Sequence, residues 1–335
     1  MFKKLLRGAL LAFALLPAAA AAEPVKLKFA YFSSDRTTLY LAGIKPFVDA
    51  VNSDGAGLVE IEMNFSGALG RNPAQQLQLV LDGTADMALI IPGYTPERFH
   101  DNTVIELPGT YRSMEEATLV YTRLTAANAL SGYQDVYVLG AYATEPETIH
   151  SRPPVASLND LRGKRIRVNN PAQGKALTKL GAIPEVLAIN MVPASIGNGE
   201  IDGATVPPGA LIEFGISRMT SSHYLLGIGA APLAMVINRK KFGSLPKESQ
   251  DLLRKYGGEW MAWHFIATNK RENNEAITQL KSDPNRKVSV PSASDSKQAQ
   301  AAFEEVVKDW LAESPQHREL LAKAEAELAK IRSGQ

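Results

Sequence analysis

Asp160-Leu161-Arg162-Gly163-Lys164-Arg165-Ile166-Arg167-Val168 is the stretch on which the reading of this chain turns. It has the form of a helix or turn end, a glycine stop, and then a short strand. In an extended run side chains alternate faces, so Ile166 points one way while Arg165 and Arg167 point the other. Just upstream, Pro153 and Pro154 belong to a loop or an approach between domains rather than to an element interior. Arg167 is the candidate binding residue. A guanidinium is a planar fork that meets a carboxylate with two parallel hydrogen bonds, and it keeps its charge when partly buried. The alternative is an ordinary surface or salt-bridging arginine, and this stretch alone does not choose between them.

Upstream, the pattern is α/β. Val25 to Phe32 alternates, with Leu27, Phe29 and Tyr31 on one face. Leu39 to Val51 carries Leu41, Ile44, Phe47, Val48 and Val51 at helical spacing, and Val59 to Phe65 alternates again. Pro73 to Asp82 is expected as a helix opened by proline and ended by Gly83, and Thr84 to Ile91 as the next strand. Strand, helix, strand, helix, strand predicts a parallel layer covered by helices.

Further along, Val136 to Tyr142 is expected as a strand that runs into the Pro-rich segment Pro146 to Pro154. After the Arg165 to Asn169 strand come a short helix within Gly174 to Gly181 and strands at Glu185 to Ile189 and Ile201 to Val206. Leu225 to Asn238, apolar and interrupted by Gly227, Gly229 and Pro232, is expected to cross between domains. Lys247 to Leu280 holds no proline and an apolar stripe through Leu252, Leu253, Tyr256, Trp260, Trp263, Phe265 and Ile266. As one helix it is about 50 Å long, enough to run along both domains with a kink near Gly257-Gly258. Two shorter helices broken at those glycines are the alternative. Ser294 to Arg332 predicts two amphipathic helices separated near Ser314-Pro315.

The chain has 335 residues, a length that favours two domains. Lys3, Lys4 and Arg7, the apolar run Ala9 to Leu16 and the small residues Ala20-Ala21-Ala22 form a secretory signal peptide over residues 1–22. The mature protein is expected from about Glu23, in the periplasm. No apolar run approaches the ~20 residues of a spanning helix. There is no cysteine, hence no disulfide, thiolate nucleophile or lipid-anchoring cysteine. The net charge of +1 becomes −2 once the three basic residues of the leader are removed, which argues against a nucleic-acid partner. The five histidines are not at metal-ligand spacing, and no Gly-x-Ser-x-Gly elbow or phosphate loop occurs. Neither an enzyme nor a metal or other cofactor is therefore expected. A periplasmic hydrolase working through a carboxylate pair is left as an unmarked alternative.

Five segments, in order, resemble a known family. Phe65-Ser66-Gly67-Ala68-Leu69-Gly70 is similar to its P-x-G-x-L-G turn. Asp82-Gly83-Thr84-Ala85-Asp86-Met87 is similar to the end of its L-x-x-G-T-x-D-M segment, and Ile105-Glu106-Leu107-Pro108 to its x-L-P loop. Asp160 to Arg167 resembles D-L-K-G-x-K-I-R, and Gly199-Glu200-Ile201-Asp202-Gly203 resembles G-x-V-D-G. Each is weak alone; five in order behind a signal peptide resemble the solute-binding component of tripartite ATP-independent periplasmic (TRAP) transporters, of the dicarboxylate-receptor type. The resemblance implies a two-lobed α/β periplasmic binding protein fold with crossing strands and one long helix spanning both lobes. Lobe I with that helix takes residues 23–145 and about 238–280, lobe II 146–237, and C-terminal helices 281–335. It also implies a monomer that closes on a small organic acid and delivers it to a small and a large integral membrane subunit. Arg167 takes the role of the carboxylate grip. A periplasmic sensor docking on a signalling partner would use the same solute site.

The chain departs from the family pattern at several positions. An asparagine that often follows the D-G segment corresponds to Val206, which cannot donate, and Pro207 and Pro208 follow it. The loop after Tyr142, where sialic-acid receptors carry another arginine, reads Thr144-Glu145-Pro146-Glu147. Glu145 is there either to accept from a ligand hydroxyl or amine or simply to be solvated. Phe32, Ile91, Tyr94, Ile189, Val206 and Phe214 then suggest a cleft with apolar walls, although each alone is equally ordinary core. The expected solute is a monocarboxylate with an apolar or aromatic body: an aromatic acid, or a 2-oxo or 2-hydroxy acid.

Overall fold

The computed structural model describes residues 23–334, so the expected signal peptide lies outside the described residues. The strands are β1 (Val25–Ala30), β2 (Val59–Asn64), β3 (Met87–Ile90), β4 (Val136–Ala143), β5 (Thr148–Ser151), β6 (Arg165–Val168), β7 (Ile183–Val186), β8 (Gly203–Val206), β9 (Ser222–Tyr224), β10 (Pro232–Asn238) and β11 (Lys287–Ser289). The helices are α1 (Lys45–Asp54), α2 (Gln76–Leu81), α3 (Thr103–Glu106), α4 (Met114–Ala126), α5 (Pro171–Lys179), α6 (Val192–Gly197), α7 (Pro208–Glu213), α8 (Arg239–Ser244), α9 (Lys247–Lys255), α10 (Gly258–Ser282), α11 (Ala293–Glu313) and α12 (Pro315–Arg332).

Two sheets result. The first has the order β2-β1-β3-β10-β4, with β1 parallel to both neighbours and β10 antiparallel to β3 and β4. The second has the order β11-β9-β5-β8-β6-β7, with β6 parallel to β7 and β8 and β5 antiparallel to β8 and β9. The pleat of β3 puts Met87 and Leu89 into one apolar cluster and Ala88 and Ile90 into another. Both faces of the first sheet are thus covered, as a helix-layered sheet requires.

Two crossing segments join the sheets and pair with each other. Thr144 N donates to Ala231 O (3.0 Å), Glu147 N to Gly229 O (2.9 Å) and Ile228 N to Glu147 O (2.9 Å). Gly229 is demanded there, because a Cβ would lie 2.5 Å from the Glu106 carbonyl oxygen. The expected lobe II range of 146–237 needs correction: Pro232–Asn238 is β10, inside the first sheet, since an apolar strand flanked by β3 and β4 fills that core. The C-terminal range 281–335 is likewise not helical throughout, for β11 extends the second sheet beside β9.

The long helical signal resolves into two helices. Lys255 ends α9, Gly257 is extended and Gly258 adopts φ +54°, a left-handed conformation suited to glycine. A single helix of about 50 Å is thereby replaced by α10 alone, 25 residues or about 37 Å. It still spans both halves, packing on α4 and β4 of the first and on α7 and β11 of the second. The strand expected at Glu185 to Ile189 sits earlier, at β7, and Ile189 opens a 3-10 turn instead.

Candidate functional site

β6 places Arg167 between β7 and β8, and its guanidinium reaches the carbonyls at Leu187 and Thr205. The side chain is 1% exposed. Nε donates to Leu187 O at 2.8 Å, Nη1 to Thr205 O at 2.9 Å and Nη2 to the Tyr94 hydroxyl at 3.0 Å. A guanidinium has five N–H groups, so one remains on each terminal nitrogen, two donors for a carboxylate. Among the described residues Arg167 makes no ion pair, which disposes of the salt-bridging alternative. Its three hydrogen-bond acceptors are all neutral, which leaves the guanidinium open to a direct contact with an anion.

Tyr94, expected as an apolar wall, turns out to be polar in role. Its hydroxyl oxygen accepts from Arg167 and from Ile189 N (2.9 Å), joining a loop after β3 to the second sheet. With both lone pairs engaged, its proton is left to donate. Burial pushes the phenol up, which keeps that proton on the oxygen. Behind Arg167 lies Glu147, wholly buried. Its carboxylate accepts from Asn169 Nδ2 (2.7 Å) and Gln173 Nε2 (3.1 Å). Burial pushes its carboxyl up and the Arg167 charge draws it down, with burial the larger effect. Gln173 Oε1 in turn accepts from Thr205 Oγ1 (2.9 Å), so the strand carrying Arg167 is braced by a satisfied polar network.

Arg167 faces a cavity of about 60 Å³. Of the residues singled out in the sequence, Phe32, Ile91, Tyr94, Glu145, Ile189 and Phe214 line it. Val206 does not: fully buried in β8, it packs into the core, and Pro207 takes the wall position beside it. Glu145 is not simply solvated. Its Oε2 accepts from Met114 N (2.5 Å) at the start of α4, and burial pushes its carboxyl up. Sequence reasoning missed Thr38, Asn169, Glu213, Asn269 and Asn273, which also line the cavity. Asn169 shares a strand face with Arg167 at i+2, and Asn269 and Asn273 share a helix face at i+4; both spacings were available signals.

The halves meet across this cavity. Thr38 N donates to Glu213 Oε1 (2.6 Å) and Gly209 N to Asn273 Oδ1 (2.9 Å), while Tyr94 bridges to Ile189. Two sheet-based lobes closed over a small cavity with a buried cation define a two-lobed solute-binding protein. A sequence model of bacterial extracellular solute-binding protein family 7 matches residues 29–314. The chain belongs to this family, the receptor component of TRAP transporters. Its members are extracytoplasmic binding proteins rather than enzymes, in keeping with the periplasmic location and non-catalytic role expected from the sequence. No helix among the described residues is long and apolar enough to cross a membrane.

A curated relative, the C4-dicarboxylate-binding periplasmic protein of Rhodobacter capsulatus, is 22% identical over 78% of this chain and 79% of its own length. A solved TRAP receptor from a marine metagenome, described as specific for aromatic acid ligands and holding metahydroxyphenylacetate, is 25% identical with a TM-score of 0.83, covering 91% of this chain and 99% of that one. A receptor from Rhodoferax ferrireducens that copurified with benzoate is 24% identical with a TM-score of 0.82, covering 91% and 98% respectively.

Proposed function

We propose that this receptor captures a compact monocarboxylate with an apolar or aromatic body and passes it to the small and large membrane subunits of a TRAP permease. The observation that carries the reading is Arg167, buried at the cavity wall with one N–H free on each terminal nitrogen. The free proton of Tyr94 would give the same carboxylate a third donor. Among the described residues lining the cavity Arg167 is the one cation, so a second carboxylate on the ligand would meet Glu145 or Glu213 instead of a partner. The aliphatic and aromatic side chains of Phe32, Leu39, Ile91, Ile189, Phe214 and Leu233 supply the walls. Relatives described as holding metahydroxyphenylacetate or benzoate support an aromatic body.

A charge-assisted contact contributes about 1.5–3 kcal/mol, and burial of the ligand body supplies the rest. Closure of the lobes follows only if the acid binds the closed form better than the open one, and Arg167 and Tyr94, one from each lobe, make that difference. The test is a thermal-shift screen of mono-, di- and aromatic carboxylates followed by calorimetry. Saturation at 100 times Kd stabilises by about 2.7 kcal/mol, which such a screen resolves. Aromatic monocarboxylates should rank above dicarboxylates, and Arg167→Ala should weaken the best of them at least tenfold. A dicarboxylate in first place, or unchanged affinity in the variant, contradicts the reading.

A further inference from the structure

The cavity has further polar side chains that do not bond the arginine. Asn269, on α10, lines the cavity and is 9% exposed, yet its Nδ2 has no hydrogen-bond partner among the described residues. A buried amide donor left unmet costs about 1–3 kcal/mol, and an amide can turn over to present either end. Three carboxylates line the same cavity, and Glu147 has both oxygens engaged by Asn169 and Gln173. Glu145 spends Oε2 on Met114 N, and Glu213 spends Oε1 on Thr38 N. The other oxygen of Glu145 has no hydrogen-bond donor among the described residues, whereas Glu213 also takes the Thr38 hydroxyl. None of Arg167's partners comes from α10 or from these glutamates, so Asn269, Glu145 and Glu213 are left for another part of a ligand.

An unmet donor beside acceptors with room calls for a ligand group that both accepts and donates. A plain hydrocarbon ring does neither, a second carboxylate only accepts, and an ammonium only donates. A hydroxyl does both. Resting on the monocarboxylate reading above, we propose that the solute carries a hydroxyl at the end remote from its carboxylate, accepting from Asn269 and donating to Glu145 or Glu213. Asn269 is then the specificity-determining residue that separates a hydroxylated aromatic acid from its unsubstituted parent. Burial raises both glutamates above the usual carboxylate range, which makes a hydroxyl donor welcome there. A site built to hydrogen-bond a hydroxyl rejects the analogue lacking it strongly, since its own polar groups are then left unpaired.

The experiment is calorimetry with benzoate, 3-hydroxybenzoate, 4-hydroxybenzoate and 4-(aminomethyl)benzoate on the wild-type protein, Asn269→Leu, Asn269→Asp and Arg167→Ala. The wild type should prefer one hydroxybenzoate over benzoate by at least tenfold. Asn269→Leu should lose most of that preference. Asn269→Asp, of equal size but without the donor, should lose it too, which separates lost recognition from lost packing. Equal affinity for benzoate and both hydroxybenzoates, with all three lost in Arg167→Ala, overturns this inference and leaves the monocarboxylate reading standing. Tightest binding of the ammonium compound, or an undiminished hydroxyl preference in both Asn269 variants, also overturns it. Failure of every acid to bind overturns the reading beneath it and this inference together.

Discussion

Tyr94 shows how much one side chain does at this site. Its oxygen accepts from Arg167 of the second sheet and from Ile189 N, while the residue itself belongs to the loop after β3. It therefore orients the guanidinium, holds the lobes together and leaves a proton for the ligand. Tyr94→Phe keeps the ring and removes all three. Affinity for the cognate acid should fall about three- to tenfold, the worth of one or two hydrogen bonds, and the unliganded protein should lose thermal stability too, because Arg167 Nη2 and Ile189 N lose their acceptor. Calorimetry on the variant checks this, and unchanged affinity would reduce Tyr94 to a wall. Arg167 was legible in the sequence as the candidate grip because a family motif singles it out; strand alternation alone leaves Arg165 on the same face. The polar use of Tyr94 was not, since a tyrosine in an apolar run gives no sign of which end meets a partner.

At the scale of elements, the sequence showed amphipathic patterns and hid buried ones. β1, β2 and the C-terminal helices carry clear periodicity and lie where it places them. α4 went unread because it is covered on nearly every side, Met114 and Glu116 through Thr122 all being buried, so no polar face marks it. Only its cap is a local signal, Ser113 Oγ accepting from Glu116 N. β5 was hidden by Pro146, Pro153 and Pro154, which flank it without entering it. The break between α9 and α10 depends on glycine for a reason visible only in three dimensions: a Cβ on Gly257 would sit 2.4 Å from Leu139 O in β4. Gly257→Ala must push α10 off the first sheet, at a cost of about 1–3 kcal/mol. Urea unfolding should show that loss, and a variant as stable as the wild type would mean the helix junction is not pinned against β4.

For the whole molecule, the two-lobe plan was legible and its seams were not. Pro232–Asn238 was assigned across the crossing, yet it belongs to the first sheet, a distinction that rests on strand pairing and leaves no local trace. Glu106 sits near the crossing segments, 2% exposed, with no partner for Oε1 among the described residues. Burial, aided by Glu147, pushes its carboxyl up to about 8 from an ordinary 4.5. The folded state then holds a proton that the unfolded chain has released, so stability from this group is full below about pH 4.5 and is lost as pH rises towards 8. Glu106→Gln should flatten that decline between pH 5 and 8 by on the order of 1–4 kcal/mol in urea melts; an unchanged slope would place the titration elsewhere. The central claim concerns a single cation between two lobes. A crystal structure with the tightest-binding acid tests it most directly. The account predicts the carboxylate about 3 Å from both terminal nitrogens of Arg167, with the lobes closed over the ligand body. A bound acid whose carboxylate lies away from that guanidinium contradicts it.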